Sequence, residues 1–204
     1  MNVMDRVRRR RFFLALAGIF SSIVLSSYAL KTRQVPRASA QTTAEQRDAH
    51  LTLGLDHHRN GRLDEALGEY TAAASVDPQS ALAYYDIGTV QYAHKNIDAA
   101  IAAYLHAVAI DRLFADAQFN LGYLQLHDRN DPAAALAPLT AAIQANPKMA
   151  KAYYELGVAY DLLGMRERAE PMWERATTID AGYGDVVAAR RAPSAPPRQP
   201  PPQR

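Results

Sequence analysis

The spacing of four glycines is the feature that most constrains how this chain can fold. Gly54, Gly88, Gly122 and Gly157 lie 34, 34 and 35 residues apart, and each follows a leucine or an isoleucine. A fixed period of about 20–50 residues predicts a solenoid, in which each repeat packs against its neighbours to complete a hydrophobic core. The period therefore predicts the architecture before any other residue is interpreted.

Three further positions repeat in the same register. A small residue lies twelve or thirteen residues after each glycine, a bulky one follows four later, and an alanine follows three after that. These sets are Ala66, Ala100, Ala135 and Ala169; Tyr70, Tyr104, Leu139 and Trp173; and Ala73, Ala107, Ala142 and Ala176. Apolar residues at i, i+3, i+4 and i+7 predict two amphipathic helices in each unit. The small residues allow the paired helices to approach, and the bulky one fills the gap between them.

The pattern resembles the tetratricopeptide repeat. The resemblance implies an all-α fold, a right-handed superhelical solenoid of four helix-turn-helix units at residues 47–80, 81–114, 115–149 and 150–182. We place the whole array at residues 41–182, because Thr42 to Glu45 forms a capping-box pattern that opens the first helix. A short capping helix is predicted at 183–192, and a disordered tail rich in proline and arginine at 193–204.

Residues 1–40 belong to a different class of sequence. Five arginines precede the uncharged segment 12–30, and the small-residue site Ala38-Ser39-Ala40 follows it. This layout is typical of a secretory signal, here cleaved after Ala40. The alternative is an uncleaved anchor, because a helix over residues 12–30 is long enough to span about 30 Å of hydrocarbon. Both interpretations predict a bacterial exported protein, either periplasmic or anchored in the inner membrane and facing the periplasm.

The export route stays open between two alternatives. Arg10-Arg11-Phe12-Phe13-Leu14 resembles the core of a twin-arginine signal, but an arginine-rich N-terminal region also suits the ordinary Sec route. If the segment is not cleaved, residues 12–30 are the only contact with the membrane that the sequence predicts.

The composition excludes several kinds of chemistry. The chain has no cysteine, so disulfides, thiolate metal sites and cysteine nucleophiles are excluded. His50 and His57 share a predicted helix but lie about 10 Å apart along its axis, too far to bind one ion. No metalloprotease, nucleophile-elbow, Walker or dinucleotide motif is present. We therefore predict no enzyme activity, no metal and no cofactor.

The charge distribution also argues against a nucleic-acid partner. Residues 41–182 contain 11 Lys and Arg against 19 Asp and Glu, so the array is acidic and the basic excess lies at the two ends of the chain. Nucleic-acid binding requires a basic face. The predicted partner is instead a protein or peptide.

The family resemblance implies a concave surface formed by the fifth, ninth and twelfth residues of each first helix. The family's carboxylate clamp is not matched, because Leu51 and Leu55 stand where it requires polar residues. The predicted groove residues are Leu51, Leu55 and His58; Tyr85, Thr89 and Tyr92; Phe119, Tyr123 and Leu126; and Tyr154, Val158 and Asp161. Spacings of four and three keep each trio on one helical face. Five aromatics among them suit an extended segment or an amphipathic helix of a partner, although any single tyrosine could instead pack between units.

These features together predict a protein-protein interaction scaffold or adaptor that is exported or membrane-anchored and binds a partner segment in the aromatic groove. The alternative is a permanent structural or assembly subunit of a cell-envelope complex. Stable co-purification in fixed stoichiometry would favour the subunit, and reversible binding of a peptide would favour the adaptor.

Overall fold

The computed structural model describes residues 42–191. The predictions for residues 1–40 and for the tail at 193–204 therefore lie outside the described residues. By its internal contacts the chain divides into two units, Met1–Ala49 and His50–Arg204. In the first unit, the described residues 42–49 are helical. The second unit holds the repeats and the candidate site.

The described residues form helices joined by short turns and contain no strand. This confirms the predicted all-α fold of successive helix pairs. The helices are α1 (42–59), α2 (Leu63–Val76), α3 (Ala81–Ala93), α4 (Ile97–Ile110), α5 (Ala115–His127), α6 (Pro132–Ala145), α7 (Ala150–Leu162) and α8 (Arg166–Ile179), followed by a 3-10 turn (Ala181–Tyr183) and α9 (Gly184–Arg191).

Each helix pair packs internally and also against the next pair along the chain. Helix α3 packs on α4, α5 on α6 and α7 on α8, while α4 contacts α5 and α6 contacts α7. The repeating small residues make these contacts close. For example, a Cβ built on Gly122 would lie 2.6 Å from Cγ of Leu139, the bulky residue of the same unit. A single pair could not bury its apolar stripe alone, so each pair depends on its neighbours to complete its core.

The turn between the two helices of each unit uses a left-handed residue at the same register position. Gly61 and Gly164 have φ values of 72° and 73°, and the equivalent residues of the middle units, Lys95 and Asn130, have φ values of 62° and 51°. Glycine adopts this conformation without steric cost, whereas a lysine does so at a cost of about 1–2 kcal/mol. The turn geometry is therefore set by the repeat, and not by the residue type.

Helix α9 covers the end of the last unit. Its Val187 is 2% exposed and packs with Ala169 and Trp173, the small and bulky residues of the fourth unit. Solenoid ends need such a cover because the last repeat would otherwise expose its apolar face. The same helix forms one side of a cavity at the end of the candidate groove.

Candidate partner-binding groove

The predicted groove residues lie on the first helices of the units and differ in exposure. Leu55 and Tyr92 are exposed, and the half-buried residues are Leu51, His58, Tyr85, Thr89, Tyr123, Tyr154 and Asp161. Three residues are buried, namely Phe119, Leu126 and Val158, which are 9%, 2% and 1% exposed. They belong to the core that α5, α6 and α7 share. Leu126 and Val158 therefore support the groove from within the core and offer almost no contact area to a partner.

A cavity of about 250 Å³ opens between α3 and α5. Four of its lining residues are predicted groove residues: Thr89, Tyr92, Phe119 and Tyr123. The sequence did not predict the other three, which are Tyr104, Asn120 and Leu124. Small-molecule sites usually have volumes of about 300–1,000 Å³. The size of this cavity suits one or two side chains of a bound protein segment better than a cofactor.

Tyr104 supplies a polar group at the base of this cavity. It comes from α4, and its ring packs so closely on α3 that a Cβ at Gly88 would lie 2.7 Å from it. Its hydroxyl accepts a hydrogen bond from Nδ2 of Asn120 at 3.1 Å and lies 3.3 Å from Oγ1 of Thr89. Burial raises the pKa of Tyr104 above its usual value, and the hydrogen bonds to Thr89 and Asn120 oppose this only in part. The hydroxyl therefore stays neutral at physiological pH, and its contacts with Asn120 and Thr89 hold the ring at the base of the cavity.

Aromatic rings form the walls of the cavity and continue toward α7. The ring centroids of Phe119 and Tyr123 are 6.0 Å apart, and Tyr123 lies with its centroid 4.4 Å from that of the His127 imidazole. Nζ of Lys151, on α7, lies 4.3 Å from the centroid of the Phe119 ring. Rings held in this way present a rigid apolar surface, which loses little side-chain entropy when a partner binds.

A hydrogen bond between α5 and α7 holds the far side of this wall. Nε2 of His127 and Oε2 of Glu155 are 2.7 Å apart, and Glu155 is buried. Glu155 stands at the register position that Asn120 occupies one unit earlier. In both units this position carries a polar side chain that bonds to the preceding unit. The position thus fixes neighbouring first helices relative to each other along the groove.

A second cavity lies between α7 and α9. Its volume is about 480 Å³, and its lining residues are Tyr154 and Asp161 from α7 and Val186, Ala189 and Arg190 from α9. The Tyr154 ring lies 5.2 Å from the ring of Tyr183, in the 3-10 turn that precedes α9. The first helices therefore line two successive depressions with aromatic walls.

The two cavities present aromatic rings together with a few polar side chains. Within residues 42–191 no group of three or more His, Cys, Asp or Glu side chains could hold a metal ion. The same described residues include no helix long and apolar enough to cross a membrane.

Comparison with known proteins places this architecture in context. The sequence profile described as tetratricopeptide repeat matches residues 51–113 and 128–184. The crystal structure of MamA aligns with a TM-score of 0.61 and 24% identity, over 73% of this chain and 88% of that one. PilF from Pseudomonas aeruginosa aligns with a TM-score of 0.63 and 23% identity, over 74% of this chain and 71% of that one.

A third similar structure is TTC0263, a thermophilic TPR protein from Thermus thermophilus. It aligns with a TM-score of 0.56 and 23% identity, over 71% of this chain and 83% of that one. Among curated proteins, none matches the sequence. Likeness at these identities shows the fold alone.

Proposed function

Because the chain belongs to the tetratricopeptide repeat family, we propose that it is a scaffold that binds a segment of a partner protein along the groove of α3, α5 and α7. Proteins built from this repeat bind protein partners and are generally non-enzymatic. The observation that carries the proposal is the cavity between α3 and α5, where the rings of Tyr92, Phe119 and Tyr123 form the walls and Tyr104 forms the base. Apolar walls with a few convergent polar groups are the usual features of a binding site.

The aromatic walls make Tyr123 the expected centre of binding. It lies on the wall of the cavity in the third unit, with neighbouring units on both sides. Aromatic residues near the centre of an interface dominate binding energy, and truncation of one typically costs about 2 kcal/mol, which is about a 30-fold loss of affinity. A partner that uses this groove should therefore depend on Tyr123 more than on the surrounding residues.

We expect Tyr123→Ala to weaken binding of a partner about 30-fold, through loss of an anchoring ring. The matched control is Tyr153→Ala, which truncates a half-buried tyrosine on α7 that lines neither cavity. Proteins that co-purify from the native cell envelope would be identified by mass spectrometry for both variants and the parent, and affinities then measured by calorimetry. Circular dichroism would verify folding. Equal binding by a folded Tyr123→Ala variant would place the interface elsewhere, and co-purification in fixed stoichiometry would favour a permanent subunit of a complex.

We also propose that the scaffold lies outside the cytoplasm. The support is the sequence of residues 1–40, with arginines, an uncharged segment and the Ala38-Ser39-Ala40 site in the order of an export signal. Such a location would confine its partners to the periplasm or the membrane surface.

A fusion of alkaline phosphatase after Arg204 should be active in cells, because this reporter matures only outside the cytoplasm. N-terminal sequencing of the native protein should then find Gln41 as the first residue if the signal is cleaved, or Met1 if residues 12–30 anchor the chain. An inactive phosphatase fusion, with a cytoplasmic reporter active at the same position, would contradict export.

A further inference from the structure

Carboxylates lie near two tyrosines of the groove. Burial raises the pKa of Tyr85, and the nearby carboxylates of Asp116 and Asp86 raise it further. Burial also raises the pKa of Tyr92, and the charge of Asp128 raises it further. A segment bound here would gain from positive charge and would be repelled if it carried acidic residues.

Two of the carboxylates near this surface are already paired with cations. Nζ of Lys151 lies 3.2 Å from Asp116, and a guanidinium nitrogen of Arg166 lies 3.3 Å from Asp161. These pairs leave the aromatic rings as the main binding surface of the groove. The rings suit a segment that carries apolar rings and cations able to stack on tyrosine, and the chain itself contains one.

Residues 192–204 have the matching composition. This segment contains six prolines, Arg198 and Arg204, and no acidic residue. Proline-rich segments bind aromatic-lined grooves because their rings pack on aromatic faces and their extended conformation costs little entropy to fix. Arginine guanidinium groups also stack on tyrosine rings. The segment therefore complements the aromatic rings of the groove.

The segment also begins at the mouth of the groove. Helix α9 ends at Arg191 and lines the cavity that it shares with Tyr154 and Asp161 of α7. The carbonyl of Arg190 accepts a hydrogen bond from Arg166 at 3.3 Å. Since Arg166 starts α8 directly after the end of α7, the end of α9 lies at the edge of the groove where the first helices end. Tyr92, near the C-terminal end of α3, lies at the same edge.

The length of the segment is sufficient to reach the first cavity. Packed helices lie about 8–10 Å apart, so two steps, from α9 to α7 and from α7 to α5, cover about 20 Å. Thirteen extended residues at about 3.1 Å each span about 40 Å. Arg198 is the seventh residue after Arg191 and would be about 22 Å along this path, level with α5 and Tyr123.

We propose that residues 192–204 bind in cis along this groove, with Arg198 on the ring of Tyr123 and the prolines that follow it in the cavity between α3 and α5. The tail then competes with the partner segment for the same surface. This inference rests on the proposed function in one respect, because it assigns the tail and the partner segment to the same groove. If the tail occupies the groove in about 90% of molecules, its release raises the apparent affinity for the partner about tenfold.

The absence of cysteine in the parent chain permits a direct test. A nitroxide spin label on Gln203→Cys should broaden the ring NMR signals of Tyr92 and Tyr123, while the ring signals of Tyr153, which lines neither cavity, stay sharp. The broadening should persist on tenfold dilution, since the contact is intramolecular. Adding Arg198→Glu should remove most of it, because a carboxylate cannot make the cation–π contact with the Tyr123 ring.

Three outcomes would overturn the proposal. The first is equal broadening at Tyr153 and Tyr123. The second is broadening that disappears on dilution, which would indicate a tail from a second copy of the chain. The third is full broadening in the variant that carries Arg198→Glu. The proposed function fails separately. A folded Tyr123→Ala variant that keeps full partner affinity would exclude the groove as the partner site, even if the spin label showed the tail bound there.

Discussion

We expect Gly157→Ala to lower the free energy of unfolding by about 3 kcal/mol, the upper part of the range for overpacked cores. A Cβ at this position would lie 2.4 Å from Nε1 and 2.5 Å from Cδ1 of Trp173. The indole is fully buried and cannot rotate away, so α7 and α8 must separate to admit one methyl group. The loss should appear in urea unfolding followed by circular dichroism.

Gly68→Ala is the matched control. It introduces the same methyl group into the middle of α2, where no atom lies within 4 Å of the new Cβ. Because glycine is unfavourable inside a helix, this variant should gain about 0.5–1 kcal/mol. Trp173 is the only tryptophan in the chain, so its emission reports the Gly157 contact directly. If the two variants unfold at the same urea concentration and Gly157→Ala leaves the emission unchanged, then α7 and α8 do not pack as described.

The contacts behind this prediction explain why the fold could be predicted from sequence. In every unit the repeating glycine faces the bulky residue of the second helix, at distances that leave no room for a Cβ. These pairs are Gly54–Tyr70, Gly88–Tyr104, Gly122–Leu139 and Gly157–Trp173. In each unit a glycine precedes a bulky residue by a nearly fixed interval. This pattern indicates two helices packed closely against each other. Helix pairing is local in sequence, and its signal is therefore strong.

The candidate site was less predictable because it depends on contacts between units. The family resemblance implied Thr89, Tyr92, Phe119 and Tyr123 as groove residues, and these four line the cavity. The resemblance could not show that Leu126 and Val158 are buried in the core that α5, α6 and α7 share, since that depends on how tightly neighbouring units pack. Tyr104 was not predicted as a cavity residue, because its position was predicted only to fill the space between paired helices. The third unit has a leucine at this position. The tyrosine was therefore the available signal, because a buried hydroxyl requires a hydrogen-bond partner.

The second unit lacks a hydrogen bond that the third unit forms at the same register position. Asp86 and Tyr70 occupy the positions that Asn120 and Tyr104 occupy one unit later. Nδ2 of Asn120 donates to the hydroxyl of Tyr104, whereas the buried hydroxyl of Tyr70 has no hydrogen-bond partner among the described residues. Burial raises the pKa of Tyr70 to about 12, with a further contribution from the charge of Asp86. Burial also raises the pKa of the Asp86 carboxyl to about 7.

We therefore expect Asp86→Asn to stabilise the protein by about 2 kcal/mol at pH 8, because it removes a desolvated charge and supplies a donor for the Tyr70 hydroxyl. Between about pH 4 and pH 7, the Asp86 carboxyl of the parent chain is protonated in the folded state but already ionised in the unfolded state. Stability should therefore fall as the pH rises through this window, since the unfolded state binds fewer protons there.

Urea unfolding of the two proteins from pH 4 to pH 8 would measure this difference, which should be small at pH 4 and full above pH 7. Asn120→Asp is the reciprocal variant, and it should introduce a similar fall in stability because it places a carboxyl beside the buried hydroxyl of Tyr104. If Asp86→Asn and the parent differ by the same amount at every pH, then Asp86 ionises near its ordinary pKa and the explanation based on burial is wrong. A pH-dependent gain in Asp86→Asn, with the opposite change in Asn120→Asp, would show that a carboxyl at this register position is ionised at a cost because the neighbouring unit buries it.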